Sequence, residues 1–348
     1  MQYTTLGSSG LIVSKLGFGV MTFGSAERGI KGVAKAGGTT ANTMVAAALD
    51  AGVTFFDTAD AYSEGESEVM LGKALGVHRR DVVVSTKIGF RVSDPALVHA
   101  GLSYRRIIEA TEDSLRRLGT DYIDVLSLHN PDPFTPLDET VRGLEDVVRR
   151  GWVRYVGYSN YPTWQAATML ERQRARGFAP MVAAQMYYSL LGRDLEIEHV
   201  PFAQANGIGT VVWSPLASGF LTGKYTRDNP TGNGGRLNDF DFIPLDKERA
   251  YDAIERLREL ATARGTTIAQ LALAWLLHRP AVDVVLIGAS TPAQFTENAK
   301  AATLELTPDE QMILDGLAPP ARPYPAWFSD RIGPDQLVAA AVGHVDHS

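Results

Sequence analysis

The 348-residue chain contains no cysteine. That excludes disulfides, thiolate nucleophiles and cysteine-ligated zinc or iron–sulfur centres. It also lacks an excess of positive charge. Against 33 Lys and Arg stand 40 Asp and Glu, for a formal net charge of -7. Such a chain has no general attraction for nucleic acid or for an anionic membrane surface. No apolar run approaches the ~20 residues of a membrane span. The opening "MQYTTLGSSG" lacks the basic segment and long apolar run of a signal peptide. No internal repeat and no dividing linker is visible. The expectation is one cytoplasmic domain over residues 1–348, with a loose tail from about 331.

What is present is an ordinary globular composition, 45% hydrophobic and 21% charged. Two short runs at 3–6 and 11–13 flank the turn "GSSG" and predict a β-hairpin. After Leu16 the text alternates. Short apolar segments occur at 17–19, 54–56, 82–86, 123–128, 153–158, 181–185, 209–213 and 284–287. Between most of them lie stretches with helical apolar spacing, at 41–51, 105–118, 137–149, 163–176 and 246–264. Near-continuous apolar strands predict a parallel sheet covered by helices. Eight of them in this rhythm predict an α/β fold of the (β/α)8 TIM-barrel type, preceded by the hairpin. Two segments break the rhythm. Residues 25–39 read as a loop, and residues 220–244 as a long loop of the kind used for lids and binding.

In such a barrel chemistry sits at the C-terminal strand ends. The second strand ends at Asp57, the third at Lys87, the fourth at His129, the fifth at Ser159 and Asn160, and the sixth at Gln185. The seventh ends at Trp213 and Ser214 and the eighth at Gly288, while Tyr62 lies just past the second. Alone, each has an ordinary explanation: a strand-end Asp caps helices or turns, and a strand-end Lys is usually solvated. Together they put ionisable groups from successive strands on one rim. A tyrosine, with an ordinary pKa of about 10, is a poor acid until a nearby ammonium lowers that value. Lys87 offers the ammonium, and Asp57 would keep it charged. Tyr62 would then protonate a developing alkoxide while His129 orients the carbonyl. Side chains cannot supply hydride, so carbonyl reduction here requires a cofactor.

These residues sit in motifs that resemble the aldo-keto reductase family, and more narrowly its potassium-channel β-subunit-like branch. "DTADAYSEGESE", "STKIG", "DVLSLHNPD", "GYSN", "WSPLASGFLTGKY" and "IGASTPAQFTEN" resemble the family's motifs in order, from the hairpin to about residue 330. The resemblance implies NADPH bound along the barrel rim, with NAD as an alternative, and a small carbonyl or alcohol substrate. It implies catalytic roles for Asp57, Tyr62, Lys87 and His129. It places Ser159, Asn160 and Gln185 on the nicotinamide carboxamide and Trp213 on the ring, with Thr22 flanking the cofactor. Ser214, Leu216, Gly219 and Lys224 would follow the pyrophosphate, and Gly288, Ser290, Gln294, Glu297 and Asn298 the adenosine end. Lys224 and Arg236 are cations suited to a 2′-phosphate. Phe23, Phe90, Tyr158 and Trp327 are candidate substrate-pocket walls. No metal role is assigned. Two rivals stand beside this reading. One is an aldolase with Lys87 as Schiff-base nucleophile, and the other is a redox-sensing cofactor-binding subunit with little turnover. Homo-oligomers occur with this kind of barrel.

Overall fold

The computed structural model describes residues 1–332 except positions 26, 30, 35 and 94. The expected tail from about 331 lies almost wholly outside the described residues. An antiparallel hairpin, β1 (Tyr3–Thr5) and β2 (Ile12–Ser14), precedes eight strands: β3 (Leu16–Gly19), β4 (Phe55–Asp57), β5 (Val83–Ile88), β6 (Ile123–Leu128), β7 (Val153–Ser159), β8 (Met181–Tyr187), β9 (Gly209–Trp213) and β10 (Val282–Ile287). All eight pair in parallel and close into a barrel in the order β10-β3-β4-β5-β6-β7-β8-β9. This is the (β/α)8 TIM barrel with an N-terminal hairpin that the alternating text predicts.

Helices α1 (Gly38–Asp50), α2 (Glu66–Leu75), α3 (Ala96–His99), α4 (Tyr104–Leu118), α5 (Leu137–Arg149), α6 (Thr163–Arg176), α7 (His199–Asn206), α8 (Lys247–Arg264) and α9 (Ile268–Leu277) follow in turn. After β10 come α10 (Pro292–Ala299), α11 (Pro308–Leu317) and α12 (Ala326–Ile332). Their ends follow from local chemistry. Ser103 caps α4 by accepting from the Arg106 N–H, and Gly119 ends it in the left-handed region at φ 65°. Thr267 and Gln270 form a capping box on α9, whose ten residues are all buried.

Strand side chains alternate between two cores. Phe55, Val83, Val125, Ala183, Val211, Val284 and Leu286 point into the barrel, and Leu6 and Val13 of the hairpin join them from below. Phe18, Phe56, Val84, Leu126, Tyr158 and Val212 face the helices. The interior is tight: a Cβ on Gly17 would come within 2.8 Å of Leu286 and Val284. The same alternation decides what reaches the rim. Asp57 shares the inward side of Phe55, and Lys87 that of Val83. Gln185 shares the side of Ala183, and Trp213 that of Val211.

Candidate active site

Lys87 is the fixed point of the rim. Its side chain is wholly buried and its ammonium donates to Asp57 Oδ2 at 2.7 Å and to the Thr58 carbonyl at 2.5 Å. The ammonium also lies 4.8 Å from the centre of the Tyr62 ring. Burial works to lower the Lys87 pKa, but Asp57 and Tyr62 outweigh it and hold the group above its ordinary value. The other Asp57 oxygen, Oδ1, accepts from Gln185 Nε2 at 2.8 Å. One carboxylate on β4 therefore bridges β5 and β8.

Tyr62 opens a 3-10 turn, Tyr62–Gly65, and faces the cavity half-buried. Its pKa corrects the sequence-based expectation. Burial raises it, and the Lys87 ammonium and hydrogen bond pull it down without overcoming the burial. Lys87 thus limits the rise instead of producing a net fall. His129 packs edge-on against Tyr62 at 5.7 Å and lies 4.2 Å from the Phe90 ring. Burial, with the Lys87 charge second, drives its pKa well below 6.5. At neutral pH it is a neutral imidazole, able to donate from one nitrogen.

Asp57, Tyr62, His129 and Gln185 border a cavity of about 430 Å³ at the C-terminal ends of the strands, and Lys87 lies fully buried behind its lining. Of the residues singled out from sequence, Thr22, Asp57, Tyr62, Phe90, His129, Ser159, Asn160, Gln185, Trp213, Ser214, Arg236 and Gly288 line it. Asn160, at φ 60°, donates to the His129 carbonyl and to Ser159 Oγ at 3.0 Å each, and accepts from Trp213 Nε1 at 3.1 Å. Thr22 Oγ1 donates to the Ala289 carbonyl, joining the β3 and β10 loops.

Leu216 precedes the 3-10 segment Ala217–Thr222, Gly219 lies within it and Lys224 follows it, all three outside the cavity wall. A Cβ on Gly219 would lie 3.9 Å from Lys224 Nζ, so the lysine folds back over that turn. Beyond β10, Gln294 Oε1 accepts from the Ser290 N–H at 3.0 Å, and Asn298 is half-buried near the end of α10. Glu297 is taken up by Lys300 and Gln270.

Three pocket-wall candidates lie elsewhere. Tyr158 follows an outward position of β7, between inward Gly157 and Ser159, and packs against Tyr161 and His199 beneath the helices. Phe23 is fully buried against Phe18 in the same outer core. Trp327 is 40% exposed on α12, grouped with Tyr324 and Phe328 away from the cavity wall. In their place the long loop supplies Phe240 and Phe242, stacked at 5.5 Å. Loop length pointed to a lid, but no periodicity marks which of its residues turn inward. Met21, Val33 and Leu286 complete the apolar wall.

The loop also brings two cations together. Burial first, and Arg236 second, hold Lys224 below its ordinary pKa. Arg236 is likewise lowered by burial, lies 5.3 Å over the Phe240 ring and keeps a buried Nε without a partner. Among the described residues neither has a carboxylate partner. Such a pair fits an anion, and the phosphates of a nicotinamide dinucleotide meet that requirement.

A closed parallel barrel with a cavity at its strand C-termini, bordered by an aspartate paired to a buried lysine, a tyrosine and a histidine, has the layout of a TIM-barrel enzyme. Residues 15–319 match the model of the aldo/keto reductase family, and the chain belongs to that family. It is 38% identical over 315 residues to a probable voltage-gated potassium channel subunit beta of Arabidopsis thaliana, covering 86% of this chain and 91% of that protein. It is 34% identical to the versiconal hemiacetal acetate reductase of Aspergillus parasiticus, covering 90% and 96%. It is 32% identical to the aldo-keto reductase YhdN of Bacillus subtilis, covering 96% and 97%. The chain is an oxidoreductase of this family, in which NAD(P)-dependent carbonyl reduction is typical and NADPH the usual cofactor. Among the described residues no helix is long and apolar enough to cross a membrane.

Proposed function

We propose that the protein is a cytoplasmic NADPH-dependent reductase of an apolar, planar aldehyde or ketone, acting as one domain, with alcohol oxidation as the reverse reaction. The observation that carries this reading is the Lys87 ammonium, clamped by Asp57 at 2.7 Å and held 4.8 Å from the ring of Tyr62, which lines the cavity. Tyr62 donates its phenolic proton to the carbonyl oxygen as negative charge develops there. Lys87 stabilises the phenolate that remains, and Asp57 keeps Lys87 charged and aimed. Neutral His129 donates a hydrogen bond to the same oxygen and sets the carbonyl angle.

Ser159, Asn160, Gln185 and Trp213 would hold the nicotinamide end of the cofactor, and Lys224 and Arg236 its phosphates. Bound there, NADPH supplies the hydride that no side chain can. Met21, Val33, Phe90, Phe240 and Phe242 leave the substrate an apolar, aromatic wall, which supports a planar apolar carbonyl compound. The Schiff-base alternative is disfavoured, because a lysine raised in pKa by a carboxylate at 2.7 Å is a poor amine nucleophile.

The test is Tyr62→Phe, assayed on aromatic aldehydes beside a fluorescence titration with NADPH and NADH. Turnover should fall by about 10²–10⁴-fold while NADPH affinity stays near wild type. Wild-type turnover in Tyr62→Phe refutes the proton-donor assignment, and failure to bind either nucleotide refutes the reductase itself. A regulatory subunit with little turnover would bind NADPH without multiple-turnover reduction.

A further inference from the structure

The turn that carries Tyr62 is a strained one. Ser63, Glu64 and Gly65 follow at φ 50°, 54° and 88°, three successive left-handed residues of which only the last is glycine. Such a backbone persists only where its surroundings fix it. The surroundings here are polar and buried, with burial first and the neighbouring Glu68 second pushing the Asp60 carboxyl up to about 8, so that it is mostly protonated at neutral pH. Two residues before Tyr62, Asp60 is fully buried and accepts from Arg106 Nη2 of α4 at 3.3 Å. Its own backbone N–H donates to the carbonyl of Lys87 at 3.0 Å. Asp60 thus ties the tyrosine turn to the residue whose ammonium faces Tyr62.

On the far side of the turn Glu68 of α2, also fully buried, accepts from Thr86 Oγ1 and from Arg117 Nε of α4, each at 2.6 Å. Arg117 packs against Gly65, where a Cβ would meet its Cδ at 2.6 Å. None of Asp60, Glu68, Arg106 and Arg117 borders the cavity. Removing charged and polar groups from water is expensive, and an apolar cluster of the same volume would stabilise the fold as well or better. What the polar groups add is direction: each tie fixes one point of the turn relative to β5 and α4.

We propose that Asp60 and Arg106 are positioning residues for the tyrosine proton donor, setting the Tyr62 hydroxyl against the Lys87 ammonium from behind the site. The proposal rests on the reductase reading above. An unpaired Arg106 or Asp60 would threaten folding, so the decisive variant is the double substitution Asp60→Leu/Arg106→Met, which removes both partners of the hydrogen bond together. Arg106→Lys keeps the buried charge but withdraws the guanidinium fork from Asp60, and it carries the same test if the double variant is not recovered folded. Asp60→Asn keeps an acceptor oxygen for Arg106 and serves as the conservative rescue.

The expected result is a split. In the double variant kcat falls by about 10²-fold, the effect of roughly 1 Å of misplacement, while KM and NADPH affinity stay near wild type. Asp60→Asn keeps most of kcat. A folded double variant with wild-type kcat overturns the proposal, as does an Arg106→Lys variant with wild-type kcat. So does a loss shared equally by kcat, KM and NADPH affinity, which marks general disruption. Tyr62→Phe is run alongside. If it too keeps full turnover, the reductase reading has failed; if it alone loses turnover, only the positioning role has.

Discussion

Lys87→Met separates what the buried ammonium does for the fold from what it does for the chemistry. The substitution leaves Asp57 Oδ2 without the donor now at 2.7 Å and the Thr58 carbonyl without the donor at 2.5 Å. Asp57 keeps one tie, from Gln185 at 2.8 Å. Both side chains of the pair are at most 3% exposed, so water does not replace the lost partner. Orphaning one member of a buried pair costs about 3–5 kcal/mol. Turnover should fall by about 10²–10⁴-fold, because Tyr62 loses the cation that limits its pKa rise and stabilises its phenolate. Adding Asp57→Asn removes the orphaned charge while leaving an acceptor for Gln185. The double variant should regain most of the stability and none of the turnover. The assays are denaturant unfolding, steady-state reduction and NADPH titration on the three proteins. If the double variant recovers turnover along with stability, the lysine is only structural. If borohydride traps a substrate–lysine adduct in the wild type, the aldolase chemistry replaces the reductase.

Two further expectations concern other parts of the molecule. Lys224→Ala and Arg236→Ala should each weaken NADPH binding about tenfold and NADH binding less, since each removes a charged contact to phosphate. An equal loss for both nucleotides would move the pair from the 2′-phosphate to the shared pyrophosphate, and no loss would remove them from the cofactor site. His199, the first residue of α7, is buried, and both of its ring nitrogens lack partners among the described residues. Burial lowers its pKa from 6.5 to about 4. The unfolded chain therefore binds that proton more readily, and stability held above about pH 6.5 drains away as pH falls through about 4, by about 3 kcal/mol. His199→Phe should flatten that acid limb in urea titrations between pH 7 and 4, and an unchanged slope refutes the assignment.

The barrel was legible because its information is local. Apolar runs of strand length, helical spacing between them and the residue following each run all lie within a few positions of text, and the register repeats them around the barrel. Tyr158 was misread as a pocket wall although the signal was there. It falls between Gly157 and Ser159, and period two puts only one side of a strand inward. Phe240 and Phe242 had no such signal, since an irregular loop carries no period. Trp327 stands at the start of α12, a seven-residue helix with no buried residue, too short for its spacing to show a core-facing side. The Asp60–Arg106 tie joins residues 46 apart on different elements, and nothing in the text pairs them. Lys224 and Arg236 were recognised as loop cations, but nothing in the text shows that the loop sets a half-buried Arg236 close enough to the exposed Lys224 to join partial burial in lowering its pKa.

The arrangement around Asp57 ties the two halves of the proposed chemistry together. A carboxylate has two oxygens, and here each serves a different strand: Oδ2 holds the lysine facing Tyr62, and Oδ1 holds the Gln185 amide on the side assigned to the nicotinamide. An amide has two N–H groups and one carbonyl oxygen, so Gln185 can keep Asp57 and still meet a carboxamide. The position of the proton donor and that of the hydride source are then referred to one side chain on the shortest barrel strand, β4. A shift of Asp57 moves both, which is why its burial between two donors matters more than its charge alone.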